Sequence, residues 1–341
     1  MLTLHVGGEM KLRLGVMIEE TWSFFHEVYA DFQEHYATAL FRRRRVALPI
    51  LQARVNDLLF RRDLRAFLHD NDVVFCEWAS ELLAAASCFP KACPLVTRLH
   101  RYELYQWADQ VNWDAVDRVI LVSQAKRREF ATRFPAHAAK AVVIPEAVSL
   151  SRFRSRIKPF AGDIGILCHL TPRKRVYELI LAFADLIRLD DGFHLHIGGG
   201  RHARFGDYYA ALHDLVRGLG LEGHVTFYGH VAQPEEWYRR IDIFISNSYS
   251  EGLQVSPLEA IASGCYCLSH RWAGAEEMLP TENLFYTDQE LIDRILSYAQ
   301  LSQPQREEAI AALQAIVRDR FDVARTTAQI RQVIDEVAAR A

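Results

Sequence analysis

Short apolar runs alternate along the chain with longer stretches in which apolar residues recur at helical spacing. The first series of strand-like runs is 12–18, 72–76, 95–99, 118–122 and 141–144, and the second is 165–168, 193–197, 224–228, 241–246 and 265–269. Helical patterns lie between them, among them 22–35, 176–189, 208–219 and 257–263. Strands that alternate with helices predict parallel sheets joined by crossover helices, an α/β fold.

One polar stretch interrupts this rhythm. Residues 146–163, EAVSLSRFRSRIKPFAGD, contain Pro159 and Gly162 and have no regular apolar period. We place a boundary there, which gives an N-terminal domain over 1–152 and a C-terminal domain over 153–321. The last segment, 322–341, is predicted to be a terminal helix that can pack back on the first domain. Each half predicts a doubly wound, Rossmann-like domain, and two such domains facing each other would form a central cleft at the carboxyl ends of their strands.

Composition narrows the class of protein. The chain has 341 residues, of which 50% are apolar, and a net charge of −3, so the overall charge gives no indication of nucleic-acid binding. The six cysteines form no Cys-x-x-Cys pair, which favours free thiols over disulfides or a zinc site. We find no signal-peptide pattern and no apolar run of membrane-spanning length, and we therefore expect a cytoplasmic protein.

The stretch NSYSEGLQVSPLEAIASG, residues 247–264, suggests chemistry. Ser256 is predicted to be a helix N-cap, Pro257 the first helical residue, and Glu259 lies at capping-box spacing from Ser256. Helix capping therefore accounts for Glu259 about as well as ligand binding does. Glu251 precedes Gly252 in the loop and capping does not account for it. A helix N-terminus suits a phosphate, and carboxylates beside it suit hydroxyl groups, which together describe a sugar nucleotide.

Residues 162–280 resemble the C-terminal domain of family 4 glycosyltransferases, which have the GT-B fold. SYSEGLQVSPLEAIASG resembles the family's Glu-x7-Glu signature, and LGLEGHVTFYGHVAQPEEWYRRIDIFISNS resembles the segment that precedes it. AGAEEML, residues 273–279, stands where the family usually has Gly-Gly-x-x-Glu. The resemblance implies transfer of a sugar from a nucleotide-diphosphate sugar to an acceptor hydroxyl, with retention of configuration.

The resemblance also implies roles for individual residues on the donor side. Glu251 would contact donor-sugar hydroxyls, and Glu259 would hold the ribose. Backbone groups and one hydroxyl would line the rest of the donor: N–H groups of Leu253, Gln254 and Val255 for sugar and phosphates, Ser256 for a phosphate, and Gly229, His230 and Val231 for the base.

Cations for the diphosphate are expected in CHLTPRKRVYELI, residues 168–180. Lys174 matches the family's lysine, and the position of the family's arginine holds His169. Arg175 stands where a glycine is usual, and Arg173 or Arg175 is expected to supply the missing charge. The catalytic set implied by the resemblance is His100, Lys174 and Glu251.

The acceptor side departs from the family. His100 ends a predicted strand. Two roles remain open for it: a structural one, and a position near the reacting sugar. MIEETWSFF, residues 17–25, replaces the usual glycine-rich loop, and residues 146–149, EAVS, replace Asn-Gly-Val-Asp. These differences leave two rivals to the transferase: a catalytically silent GT-B scaffold that binds nucleotide or a partner, and a GT-B sugar-nucleotide epimerase or hydrolase.

We expect no metal and no cofactor besides the donor nucleotide, for which UDP is preferred and GDP comes next. The Asp-x-Asp at Asp70–Asp72 is interpreted as a turn before a strand. The acceptor is a glycan, a lipid-linked group or a small molecule. Residues 41–68, FRRRRVALPILQARVNDLLFRRDLRAFL, mix arginines with apolar residues. They are interpreted as a contact with an anionic membrane surface, a site for a phosphorylated or lipid-linked acceptor, or a helix packed on its own domain.

Overall fold

The computed structural model describes residues 11–22, 25–155 and 158–340. The chain divides into two compact units. The first runs to Ile144 and resumes at Thr327, and the second runs from Pro145 to Thr326. The first unit thus ends just before the polar stretch 146–163, where the sequence predicts the boundary.

The first unit is built on a parallel sheet. Its strands are β1 (Arg13–Met17), β2 (Ala37–Leu40), β3 (Val73–Glu77), β4 (Leu95–Leu99), β5 (Arg118–Leu121) and β6 (Ala141–Val143), in the order β2-β1-β3-β4-β5-β6. The connecting helices are α1 (His26–His35), α2 (Gln52–Asp70), α3 (Glu81–Ser87), α4 (Arg101–Gln106) and α5 (Gln124–Arg133). Parallel neighbours need crossovers, and these helices supply them.

Both faces of this sheet are covered. Every residue of β3 and β4 is buried, as expected for central strands with helices on both sides. The final helix, α12 (Val323–Ala338), contributes Ile330, Ile334 and Val337 to the core on one face. Their spacing places the three side chains on one stripe of the helix, which is how this C-terminal segment packs against the first unit.

The second unit has a parallel sheet of its own. Its strands are β7 (Asp163–Leu167), β8 (His194–Gly198), β9 (Val225–Gly229), β10 (Ile243–Ser246), β11 (Tyr266–His270) and β12 (Leu284–Phe285), in the order β12-β11-β10-β7-β8-β9. The helices are α6 (Val176–Leu189), α7 (Gly206–Gly218), α8 (Pro234–Tyr238), α9 (Val255–Ala262), α10 (Asp288–Ala299) and α11 (Gln303–Arg320).

The strand order of the second sheet reverses between β7 and β10. The chain runs outward from β7 through β8 to β9, returns to pair Ile243 of β10 with Ile164 of β7, and continues outward on the other side. The loops that leave the carboxyl ends of the two strands therefore diverge and leave a crevice, the usual ligand position in open α/β sheets.

The strand pattern predicted from the sequence is confirmed. Each predicted run overlaps an observed strand, and the predicted helix 176–189 coincides with α6. Two short strands, β2 and β12, were not predicted. The predicted start of the first helix at Trp22 adjoins residues 23–24, which lie outside the described residues, and α1 begins at His26.

Two further sequence expectations concern cysteines and acidic turns. All six cysteines are free thiols, and those at 76, 93, 265 and 267 are buried. Asp72 precedes β3 and accepts hydrogen bonds from the Arg13 side chain, as expected for a turn before a strand. Within the described ranges no group of His, Cys, Asp and Glu side chains could hold a metal ion, and no helix is long and apolar enough to cross a membrane.

Candidate functional site

Two loops meet at the strand-order reversal of the second unit. Residues 168–175 follow β7, and residues 247–254 follow β10. Because β7 and β10 are hydrogen-bonded neighbours, the loops leave the same edge of the sheet side by side. These are the two segments in which the sequence placed most of the donor-binding residues.

Three charged side chains join the loops. Lys174 Nζ and Arg173 Nη1 each lie 2.6 Å from the same oxygen, Oε1 of Glu251. Arg173 also donates to the carbonyl of Ser250 at 2.7 Å. Lys174 and Glu251 are both buried, at 8% exposure each. We call these three residues the Glu251 cluster.

The electrostatics of the Glu251 cluster favour a permanent carboxylate. Burial alone would raise the pKa of the Glu251 carboxyl, but the charges of Lys174 and Arg173 and hydrogen bonds from Lys174 and Ser248 outweigh it. The pKa of Glu251 falls to about 2. At neutral pH two cations therefore share one anion, so the cluster carries net positive charge next to the crevice.

Arg175 has a different position from Arg173. Its φ of 50° lies in the left-handed region, where the family usually has glycine, and it is the N-cap of α6. Its carbonyl accepts a hydrogen bond from the Asn247 side chain at 2.9 Å, and its guanidinium lies 3.9 Å from Asp288. The structure thus brings Arg173 to Glu251, whereas Arg175 braces the loop through its backbone.

The predicted cap of α9 is wrong. The helix begins at Val255, so Ser256 and Pro257 lie inside its first turn, and the N-cap is Gln254, in extended conformation. The Gln254 side chain does not cap the helix, because its Oε1 accepts a hydrogen bond from Ser246 Oγ on β10. Leu253 and Gln254 are buried and lead the chain into the helix. The first N–H groups of α9 have no acceptor within the helix and point out of its N-terminus.

Glu259 does not cap α9 either. Its Oε2 accepts a hydrogen bond at 2.9 Å from the hydroxyl of Tyr238, which ends α8. Burial, and then the charge of Glu259, raise the pKa of the Tyr238 hydroxyl well above its usual range, so Tyr238 stays a donor. Ser256 bonds the same hydroxyl. The capping-box spacing was coincidental, and Glu259 is instead oriented by a tyrosine of the preceding helix.

Three histidines lie near the same crevice: His169 on the loop after β7, His202 after β8 and His230 after β9. Burial lowers the pKa of His169 below 6.5, and the neighbouring charges of Lys174, His202, Arg173 and His230 lower it further. His169 is therefore neutral at pH 7 in the free protein. An anion bound among these groups would offset the neighbouring positive charges and raise the pKa of His169 again.

Glycines allow the loops after β7, β8 and β9 to approach one another closely. Gly199 has φ 141°, and a Cβ built on it would lie 2.0 Å from the carbonyl oxygen of Cys168. Gly229 has φ 63° and leads into His230, which lies 3.8 Å from a Cβ built on Gly200. The Val231 side chain lies 3.1 Å from a Cβ built on Gly198. The turn at 229–231 thus borders the loop after β8.

His100 lies in the first unit, at the carboxyl end of β4. Its Nδ1 is 3.2 Å from Glu103 Oε1, and its Nε2 is 3.5 Å from Glu77 Oε1. The Trp78 ring lies over the imidazole, with centroids 4.2 Å apart. The sequence left a structural or a catalytic role open, and the geometry shows a buried ring whose orientation is fixed on three sides.

Several residues around these sites were missed by the sequence analysis. Glu77 forms a fully buried ion pair with Arg98 at 2.9 Å, and Trp78 adopts φ 72°. A positive φ at a tryptophan is rare and stores about 1–3 kcal/mol of strain, which tends to occur at functional sites. No local residue pattern marks such a conformation. Gly199 and His202 were also missed, although the triple glycine at 198–200 after a strand was a usable signal.

Two family models match the chain. One, described as Glycosyltransferase Family 4, matches residues 23–152, and the other, described as Glycosyl transferases group 1, matches residues 161–300. Among solved structures, the chain is similar to Anabaena Alr3699/HepE in complex with UDP and glucose, with a TM-score of 0.77 and 19% identity, over 95% of this chain and 100% of that one. It is also similar to sucrose-phosphate synthase from Thermosynechococcus elongatus, with a TM-score of 0.73 and 14% identity, over 97% of this chain and 100% of that one. These likenesses establish the GT-B fold.

Curated relatives match over shorter stretches. Alpha-monoglucosyldiacylglycerol synthase from Streptococcus pneumoniae is 28% identical over 145 residues, which cover 38% of this chain and 32% of the relative. GDP-mannose-dependent alpha-(1-6)-phosphatidylinositol monomannoside mannosyltransferase from Mycobacterium tuberculosis is 29% identical over 219 residues, covering 58% of this chain and 55% of the relative. The match thus spans about a third of the first relative and about half of the second.

Proposed function

Because the chain belongs to glycosyltransferase family 4, we propose that it transfers a sugar from a nucleoside-diphosphate sugar to an acceptor hydroxyl. The observation that supports this best is the Glu251 cluster, where Arg173, Lys174 and Glu251 meet at the strand-order reversal within 2.6 Å contacts. It combines cations for a diphosphate with a carboxylate for sugar hydroxyls.

The diphosphate would bind between the Glu251 cluster and the start of α9. Lys174 and Arg173 supply positive charge in excess of the single carboxylate. The N-terminus of α9 adds N–H donors and the positive end of its dipole. Negative charge develops on the leaving phosphate in the transition state, so these prepositioned groups would stabilise the transition state more than the bound donor.

The two glutamates would hold hydroxyl groups. Glu251, whose pKa is about 2, is an acceptor-only carboxylate at neutral pH and suits the donor sugar. Glu259 is held by the Tyr238 hydroxyl through one oxygen, and its carboxylate can also accept from ribose hydroxyls. The turn at 229–231 would line the base, with UDP preferred and GDP next.

The reaction would proceed with retention and without a metal or other cofactor. The bond from the anomeric carbon to the phosphate oxygen breaks, and a bond from that carbon to the acceptor oxygen forms on the same face. The acceptor proton passes to the leaving phosphate. Lys174 and Arg173 would hold that phosphate in place during the transfer. His100, in the first unit, remains a proposed catalytic residue of this transfer.

The acceptor would be a hydroxyl of a glycan or of a lipid-linked group. By their names, one matched relative makes a glucosylated diacylglycerol and another acts on a phosphatidylinositol mannoside. These relatives support synthesis of a glycolipid or another glycoconjugate as the physiological setting.

The test is release of nucleotide from a panel of UDP- and GDP-sugars, with and without an extract of membrane lipids and glycans. The proposal expects release that depends on the acceptor and is lost in Lys174→Met. The matched control is Arg188→Met, which changes an exposed cation in the last turn of α6. Release without any acceptor would identify a hydrolase, and binding of nucleotide without release from any donor would identify a silent scaffold.

A further inference from the structure

Exposed apolar side chains concentrate at one place in the first unit. Of the thirteen large hydrophobic residues that are well exposed in the described ranges, five lie in the segment just before α2 and in its first turns: Val46, Leu48, Ile50, Leu51 and Leu58. Ile50 is 76% exposed and Leu58 67%. We call residues 42–58 the basic-apolar patch.

The patch is an ordered part of the domain surface. The Asn56 side chain accepts from Val46 N at 2.8 Å and donates to its carbonyl at 3.1 Å, which ties the segment to α2. The later part of α2 packs into the core through Phe60, Leu64 and Leu68. The later part of α2 thus anchors the helix on its own domain, whereas Leu58 in its earlier part and the segment before the helix hold apolar side chains out in solvent.

The patch and the rest of α2 up to residue 68 have a net charge opposite in sign to that of the whole chain. Residues 41–68 contain eight arginines and two aspartates, whereas the chain has a net charge of −3. The aspartates are already paired, Asp63 with Arg44 and Arg62, and Asp57 with Arg61. In the described part of the chain, no ion pair involves Arg42, Arg45 or Arg54, which lie on both sides of the apolar tip.

Apolar side chains flanked by uncompensated arginines match the interface of an anionic bilayer. The apolar groups enter the boundary between headgroups and acyl chains, and the arginines contact lipid phosphates. We propose that the basic-apolar patch docks the first unit on a membrane surface that contains anionic lipids. Membrane docking of this kind is a property separate from sugar transfer, and vesicle binding measures it without any sugar donor or acceptor.

The experiment is cosedimentation of the full chain with vesicles of phosphatidylcholine alone or of phosphatidylcholine and phosphatidylglycerol in equal parts. The wild type is expected to bind the anionic vesicles and to lose binding as salt is raised. Neutralising Arg42, Arg45 and Arg54 together to Gln should lower partitioning on anionic vesicles on the order of a hundredfold, because each arginine near such a surface contributes appreciably. Ile50→Asp with Leu51→Asp should lower it at least as much.

The matched control is Leu181→Asp with Leu189→Asp, which changes two exposed leucines of α6 and should leave vesicle binding unchanged. All substituted side chains are exposed, and equal melting temperatures would show that each variant folds. Equal binding of the wild type to both vesicle types, or unchanged binding of the patch variants, would overturn the proposal. So would a dimer in light scattering that dissociates in Ile50→Asp while the wild type ignores vesicles, since the patch would then join two copies of the chain.

Discussion

Replacing Glu251 with Gln should remove a large acid-dependent part of the free energy of unfolding. Glu251 is buried, and both Lys174 and Arg173 lie 2.6 Å from its Oε1. Gln keeps the shape and a hydrogen-bonding oxygen but carries no charge. The variant therefore tests the ion pairs with little change in packing.

The magnitude follows from the pKa of Glu251. Burial raises it, the two cations lower it more, and the result is a fall from the ordinary 4.5 to about 2. At 1.4 kcal/mol per pH unit this corresponds to about 3 kcal/mol of stability. Since the pKa is lower in the folded protein than in the unfolded chain, the contribution is complete above pH 4.5 and is lost as the pH falls towards 2.

The assay is urea unfolding of the wild type and Glu251→Gln at neutral pH and at the acid end of that range. The wild type should be more stable by up to about 3 kcal/mol at neutral pH, and the difference should shrink towards zero in acid. The control is Glu235→Gln, which breaks an exposed pair with Arg152 of 2.9 Å and should change stability little at either pH. A difference in stability between wild type and Glu251→Gln that is the same at both pH values would show that the charge of Glu251 does not stabilise the fold.

Three other predictions concern the donor side. Lys174→Met should lower turnover by about a hundredfold or more, because a buried cation at the leaving phosphate is lost, while the exposed control Arg188→Met keeps wild-type kinetics. Burial and adjacent cations lower the pKa of His169 below 6.5. Because the imidazole gains a positive charge in acid, nucleoside-diphosphate affinity should rise as the pH falls from 7 through the pKa of His169. His169→Arg should bind more tightly at pH 7 and show a flatter pH dependence by calorimetry; a wild-type affinity independent of pH would contradict this. Gly199→Ala should lower the melting temperature and nucleotide affinity, since the added Cβ would lie 2.0 Å from the Cys168 carbonyl oxygen; a wild-type melting curve would show that the loop relaxes freely.

The sheet architecture could be predicted from the sequence because its central strands are continuous apolar runs. The two short strands, β2 and β12, could not be predicted because they are too short to show a strand pattern of their own. β2 has only four residues, of which none is fully buried, and follows α1 after the single residue Tyr36. β12 has two residues. Pairing with a longer neighbour, rather than its own pattern, makes each of them a strand.

The site was predictable in its loops but less so in its contacts. The positions of Lys174 and Glu251 after two strands were sufficient to place them near each other once the strand order was known. That the two would form an ion pair could not be read from the sequence, since they are far apart in the chain. The predicted cap at Ser256 was wrong because residues outside the helix decide the hydrogen bonds: Ser246 of β10 bonds Gln254, and Tyr238 of α8 bonds Glu259.

Binding of the donor diphosphate by Arg173 and Lys174 can be measured by calorimetry. A nucleoside diphosphate and its parent nucleoside, first UDP and uridine, then GDP and guanosine, are titrated into the wild type and Lys174→Met. We expect the variant to lose affinity for the diphosphate at least tenfold, about 1.4 kcal/mol, and to keep its affinity for the nucleoside. Equal diphosphate affinity in the two proteins, or equal losses for both ligands, would contradict this expectation.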